Sequence, residues 1–221
     1  MSLLSKSHPT LHPALRTPHP APRKSLPVME SFYTLQGEGY HSGKAAYFIR
    51  LGGCDVGCHW CDVKESWDAS LHPVVDIHEL ADLALAHDPG MVVVTGGEPL
   101  MYQLYDLTRA LQAKGLKTHL ETSGAYPVTG DWDWICFSPK KFKEPVEDIY
   151  RKADELKVVV FNQSDFGWAE QHAGKVKGDC KLYLQPEWSR VDKNMLLIKD
   201  YVKTNPQWRI SIQSHKYLDL R

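Results

Sequence analysis

The chain lacks the features that would commit it to a highly charged partner or to a membrane. Its 26 basic side chains meet 27 acidic ones, so no net field draws it to nucleic acid or to an anionic surface. No apolar run approaches the roughly 20 residues of a membrane span, and the first residues lack the unbroken apolar stretch of a secretory signal. Cysteine is scarce and odd in number, five in 221 residues. In the cytoplasm, where the chain is therefore expected, thiols stay reduced, so its cysteines point to metal or catalysis rather than disulfides. A 43% hydrophobic composition over this length supports one substantial core and does not require a second domain. The expected partner is a small molecule.

Residues 1–27, "MSLLSKSHPTLHPALRTPHPAPRKSLP", are crowded with proline, histidine and serine and show no period; they read as a disordered tail ahead of a domain at 28–221. Beyond it, "AAYFIRL" (45–51), "MVVVT" (91–95), "KTHLE" (117–121), "WICFS" (134–138), "LKVVVF" (156–161), "KLYLQ" (181–185) and "WRISIQ" (208–213) read as strands, most of them apolar on both faces, as in a covered parallel sheet. Apolar spacing predicts helices over 76–87, 100–113 and 191–204, with a weaker pattern over 164–175. The alternation implies βαβ crossovers. No helix fits between the strands near 120 and 135, so the expected fold is α/β, a partial TIM-type barrel of parallel strands in a single domain.

In such folds the functional loops sit at the carboxyl ends of the strands. The strand at 45–51 runs into "GGCDVGCHWCD", where Cys54, Cys58 and Cys61 form C-x3-C-x2-C. Three thiolates from one loop fit a zinc site closed by a further ligand such as His59 or Asp62. They fit better an iron–sulfur cluster with one iron left open. The next strand ends in "TGGEP" (95–99), where glycines let backbone groups approach a ligand and Glu98 is expected to stay outside the core. Cys136 and Cys180 read as core or surface thiols. The seven tryptophans, without a basic stripe, read as packing residues rather than nucleotide platforms.

C-x3-C-x2-C followed by Gly-Gly-Glu-Pro resembles the radical S-adenosylmethionine enzymes. With "LQGEG" (35–39), "RLGGC" (50–54), "ETSG" (121–124), "SPK" (138–140), "LQPEW" (184–188) and "SIQSHKYL" (211–218), residues 28–221 are similar to the 7-carboxy-7-deazaguanine synthase family. The resemblance implies a [4Fe–4S] cluster on Cys54, Cys58 and Cys61, and S-adenosylmethionine bordered by Trp60, Cys61, Asp62, Gly97, Ser138, Pro139, Lys140 and Gln185, Pro186, Glu187 and Trp188. It also implies a pterin substrate held by Leu35, Gln36, Gly37, Arg50, Thr95 and Arg221, with Glu121 and His215 nearby. The implied reaction contracts the ring of 6-carboxy-5,6,7,8-tetrahydropterin with loss of ammonia, in the 7-deazapurine route to queuosine. A homodimer and a reductant protein such as flavodoxin or ferredoxin complete the expectation. Many relatives carry a Mg2+-binding threonine where this chain has Val63, which leaves Mg2+ in doubt; Lys64 either turns inward to supply part of the missing charge or faces solvent. A glycyl-radical activating enzyme and a zinc-stabilised binding module remain the alternatives.

Overall fold

The computed structural model describes residues 24–220. Its strands are β1 (Ser25–Leu35), β2 (Ala45–Leu51), β3 (Val74–Asp76), β4 (Val92–Gly96), β5 (Thr118–Thr122), β6 (Trp134–Phe137), β7 (Glu155–Val160), β8 (Lys181–Pro186) and β9 (Trp208–Ile210). Its helices are α1 (Ile77–Leu85), α2 (Tyr105–Gln112), α3 (Asp148–Lys152), α4 (Asp165–Ala173), α5 (Val191–Thr204) and α6 (Ser214–Tyr217). All nine strands form one sheet in the order β3-β1-β2-β4-β5-β6-β7-β8-β9. From β2 to β9 every pairing is parallel, whereas β1 joins β2 and β3 antiparallel. The fold is a single-domain partial barrel, as expected, with no helix between β5 and β6.

Alternation along the strands sorts the two faces. Ile49 and Leu51, Val92 and Val94, Leu120, Phe137, Leu156, Val158 and Leu184 form one core with Leu80 of α1, Leu107 and Leu111 of α2 and Ile198 of α5. The opposite face is not the apolar surface the strands led one to expect. At the carboxyl ends it presents Arg50, Thr95, Glu121, Lys157 and Gln185 to a cavity, because only one face of a curled sheet is covered by helices.

Helix α1 begins where Asp76 accepts from the backbone N–H groups of His78 and Glu79 at 2.8 and 3.3 Å, a cap typically worth about 1 kcal/mol. Helix α5 occupies the expected span, and α4 lies inside its own. The helix expected over 100–113 begins at Tyr105 instead; Pro99–Met101 form a short turn capped by the Glu98 side chain on the Leu100 N–H. The last strand is shorter than 208–213, since the chain leaves the sheet after Ile210. Strands β1 and β3 were missed, and the boundary expected after residue 27 falls inside β1, whose Ser25–Pro27 pair with β3. The remainder of that tail, residues 1–23, lies outside the described residues, as does Arg221. No helix among the described residues is long and apolar enough to cross a membrane.

Candidate active site

A cavity of about 400 Å³ opens at the carboxyl ends of the parallel strands. One wall is the cysteine loop after β2. Its conformation is set by backbone bonds to the neighbouring segments: Gly53 and Cys54 donate to Ser66 and Trp67 carbonyls at 2.6 and 3.0 Å, and Glu98 N–H donates to the Gly53 carbonyl at 2.8 Å. That approach requires glycine at 97, where an added Cβ would stand 2.1 Å from the Gly53 oxygen. Glu98 is buried, contrary to expectation, because its carboxylate accepts from Thr122 Oγ1 at 2.6 Å, the Ser123 N–H at 2.8 Å, the Ser123 hydroxyl, and Leu100 N–H. It ties the loop after β4 to the loop after β5 and is a brace.

Cys54, Cys58 and Cys61 all line the cavity and pack with Val56, Ala125 and Tyr126. Burial pushes the Cys58 thiol up to about 11, with further contributions from Cys61 and Cys54; burial also raises Cys54, with Glu98 and Cys61 adding to it. The three thiols therefore sit within electrostatic reach of one another, where a cation that displaces their protons is favoured. Among the described residues no three His, Cys, Asp or Glu side chains close on a single metal ion. Cys136 and Cys180 are buried away from this loop.

Beside the cysteines stand Trp60, Asp62, Gly97, Ser138 and Lys140, and across from them Gln185, Pro186, Glu187 and Trp188. Lys140 Nζ donates to Ser138 O and Oγ, both at 2.6 Å, and burial lowers its pKa. Pro139 is buried between them and forms no part of the wall. Glu187 caps the following turn through the Ser189 N–H and hydroxyl at 3.1 and 2.6 Å.

The cavity is also lined by Leu35, Gln36 and Gly37, with Arg50 and Thr95. Arg50 Nε donates to Glu30 Oε1 at 2.8 Å. Sequence reasoning named Gln36 and Glu121 of the floor but missed Lys157 and Glu38. Lys157, 4% exposed, donates to Glu38 at 2.6 Å and Glu121 at 3.0 Å, and Gln36 Nε2 donates to Glu121 at 3.2 Å. Burial alone would raise the Glu38 carboxyl, but the Lys157 charge, with hydrogen bonds from Lys157 and Gln213, outweighs it and holds it at about 2. Burial likewise opposes the charge on Lys157, and the surrounding acidic groups raise its pKa well above the ordinary value. The signal in the sequence was the lysine in "ELKVVV", whose alternation places it opposite the core.

The chain's last turns close the rim. Ser214 N–H donates to the Gly37 carbonyl at 2.9 Å, Gln213 Nε2 to Glu38 at 2.9 Å, and Lys216 Nζ to Asp62 at 2.8 Å while lying over Trp188. His215 lines the cavity against Gly37. Lys64 does not turn inward: it is exposed, its ammonium lies over Trp67, and it is not part of the wall.

Residues 48–135 match the Radical SAM superfamily. The chain is 56% identical over 195 residues to the 7-carboxy-7-deazaguanine synthase of Flavobacterium psychrophilum, covering 88% of this chain and 92% of that one. It is 50% identical to that of Synechocystis sp., covering 89% and 94%. The crystal structure of QueE from Escherichia coli has a TM-score of 0.75 and 31% identity, covering 86% of this chain and 95% of that one.

Proposed function

Because the chain belongs to the 7-carboxy-7-deazaguanine synthase family of radical S-adenosylmethionine enzymes, we infer that its cavity contracts the ring of 6-carboxy-5,6,7,8-tetrahydropterin to 7-carboxy-7-deazaguanine with loss of ammonia. The observation that carries this reading is one cavity lined both by three thiols and by an arginine, a buried amide and two part-buried carboxylates.

The donor set fits the cluster. Three thiols, with no fourth protein ligand beside them among the described residues, suit a group that keeps one iron open, and Cys54, Cys58 and Cys61 would hold it. Trp60, Asp62, Gly97, Ser138, Lys140 and the stretch Gln185–Trp188 would border S-adenosylmethionine, with backbone at Gly97 free to approach. The bound pair supplies the radical chemistry, which is the cofactor's own. The protein's task is placement and exclusion of water. Arg50 would hold the substrate carboxylate, with Thr95 beside it. Gln36 offers amide donors and an acceptor to the pterin edge, and Lys157 pairs with Glu121 and Glu38 beneath it.

Mg2+ does not fit. Val63 brings an apolar side chain to the wall where an oxygen ligand is needed, and Asp62 is already paired with the Lys216 ammonium. The cation's place near Asp62 falls to Lys216 rather than Lys64, so activity survives chelation of Mg2+. The homodimer and an electron-carrier protein belong to the same reading. Incubation of the cluster-loaded protein with S-adenosylmethionine, reductant and the carboxytetrahydropterin tests it: no deazaguanine product sinks the assignment.

A further inference from the structure

Strand β1, which the sequence pattern hid, carries a side chain that bears on substrate binding. In its antiparallel pairing with β2, Glu30 stands directly across from Arg50. On the other side of β2 the parallel register sets Arg50 beside Thr95 of β4. Side chains opposite one another on paired strands share a face, so Glu30, Arg50 and Thr95 form a row across three strands.

Arg50 and Thr95 line the cavity, and Glu30 does not. Its carboxylate therefore holds the guanidinium from behind: Glu30 Oε1 accepts from Arg50 Nε at 2.8 Å. The two side chains are 20% and 23% exposed, so the pair is shielded from much of the solvent that weakens surface ion pairs.

By charge alone a carboxylate in this place works against the site. A second anion beside the position that receives the substrate carboxylate repels it. The compensating effect is geometric. Arginine holds a carboxylate best through two parallel N–H bonds, which require that the guanidinium plane be fixed. Its long side chain otherwise turns among many rotamers. A bond at Nε fixes that plane without occupying the edge formed by the two terminal nitrogens.

We propose that Glu30 is the positioning residue for Arg50: it holds the guanidinium plane through Nε and leaves the two terminal nitrogens as a fork for the substrate carboxylate. The inference rests on the reading above that Arg50 receives that carboxylate. It carries a specificity as well. A carboxylate that matches the fork is received, whereas an anion attracted by net charge alone meets Glu30 as a repulsive neighbour.

The KM for 6-carboxy-5,6,7,8-tetrahydropterin, measured on the cluster-loaded protein together with kcat and the KM for S-adenosylmethionine, separates orientation from charge. Glu30→Leu removes the acceptor and should raise the pterin KM about tenfold or more, the loss of one of two charge-assisted bonds, with the KM for S-adenosylmethionine unchanged. Glu30→Gln removes the charge but keeps an oxygen for Nε, and should recover most of that loss. A poorly folded variant loses kcat through a smaller active fraction and keeps both KM values, so instability does not imitate the effect. In an Arg50→Lys background, which has no Nε–H to hold, Glu30→Leu should add no further rise. A pterin KM that is unchanged or lower in Glu30→Leu overturns the proposal. So does an equal rise in both backgrounds, a loss confined to kcat, or a Glu30→Gln protein as impaired as Glu30→Leu. If Arg50→Lys itself leaves the pterin KM unchanged, the carboxylate reading fails and the proposal with it; a raised KM in Arg50→Lys beside an unchanged one in Glu30→Leu keeps that reading and removes the role of Glu30.

Discussion

Replacing Lys157 with methionine removes the buried ammonium that holds two part-buried carboxylates, while keeping nearly the same volume. Lys157 is 4% exposed and its partners stand at 2.6 and 3.0 Å, so solvent cannot take over its role. Breaking a buried pair by deleting one partner typically costs about 3–5 kcal/mol, mostly the cost of the charge left behind. For a chain of this size each kcal/mol lowers the melting temperature by about 2–4 °C, so Lys157→Met should melt roughly 6–20 °C below the native chain. The control is Lys152→Met: its pair with Asp148, at 2.6 Å, has side chains 43% and 35% exposed, and such pairs contribute about 0–1 kcal/mol. The sign with pH follows from Glu38. Its folded pKa is depressed from 4.5 to about 2, so its stabilisation is full above the ordinary value and is lost as pH falls toward 2. In the variant Glu38, without the Lys157 charge, takes up a proton at higher pH, and the gap between the two proteins narrows on acidification. Denaturant or thermal melts at several pH values measure it. A Lys157→Met protein as stable as the native one at neutral pH would refute the buried triad.

Gly97→Ala places a methyl group against the Gly53 carbonyl and should dislodge the cysteine loop, lowering the iron retained on reconstitution while the far-ultraviolet spectrum is kept. Alanine at Cys54, Cys58 or Cys61 should abolish both iron–sulfur absorbance and 5′-deoxyadenosine formation; Cys136→Ala and Cys180→Ala should retain both. Arg50→Lys loses the planar fork, and a charge-assisted contact of about 1.5–3 kcal/mol predicts a KM raised on the order of tenfold or more with cofactor cleavage largely kept. Activity should survive chelation of Mg2+, and Val63→Thr should increase the response to added metal; strict Mg2+ dependence of the native protein would contradict the pairing of Asp62 with Lys216.

Local pattern revealed the sheet better than its edge. The parallel strands carry unbroken β-branched runs such as "VVV" in β4 and β7, and these dominate any reading by composition. Strand β1 was illegible because Pro27 stands near its start and half its residues are polar or partly exposed, as suits a strand paired antiparallel outside the helix-covered region. The cysteine wall was legible because three thiolates within eight positions have few other uses. The floor was not: Glu38, Lys157 and Gln213 come from segments separated by more than fifty residues each, and only the curl of the sheet brings them together. For Lys64 the solvent-facing reading holds, since closeness in sequence to Asp62 does not put it on the cavity side. Lys216, 154 residues away, reaches that carboxylate instead.

The most direct test of the account is an anaerobic turnover of the cluster-loaded protein with S-adenosylmethionine, a reductant and 6-carboxy-5,6,7,8-tetrahydropterin labelled with nitrogen-15 at the position lost. The account predicts 7-carboxy-7-deazaguanine and labelled ammonia in equal amounts, dependent on Cys54, Cys58 and Cys61. Cofactor cleavage without consumption of the pterin, or a protein that binds zinc alone and forms no product, would contradict it.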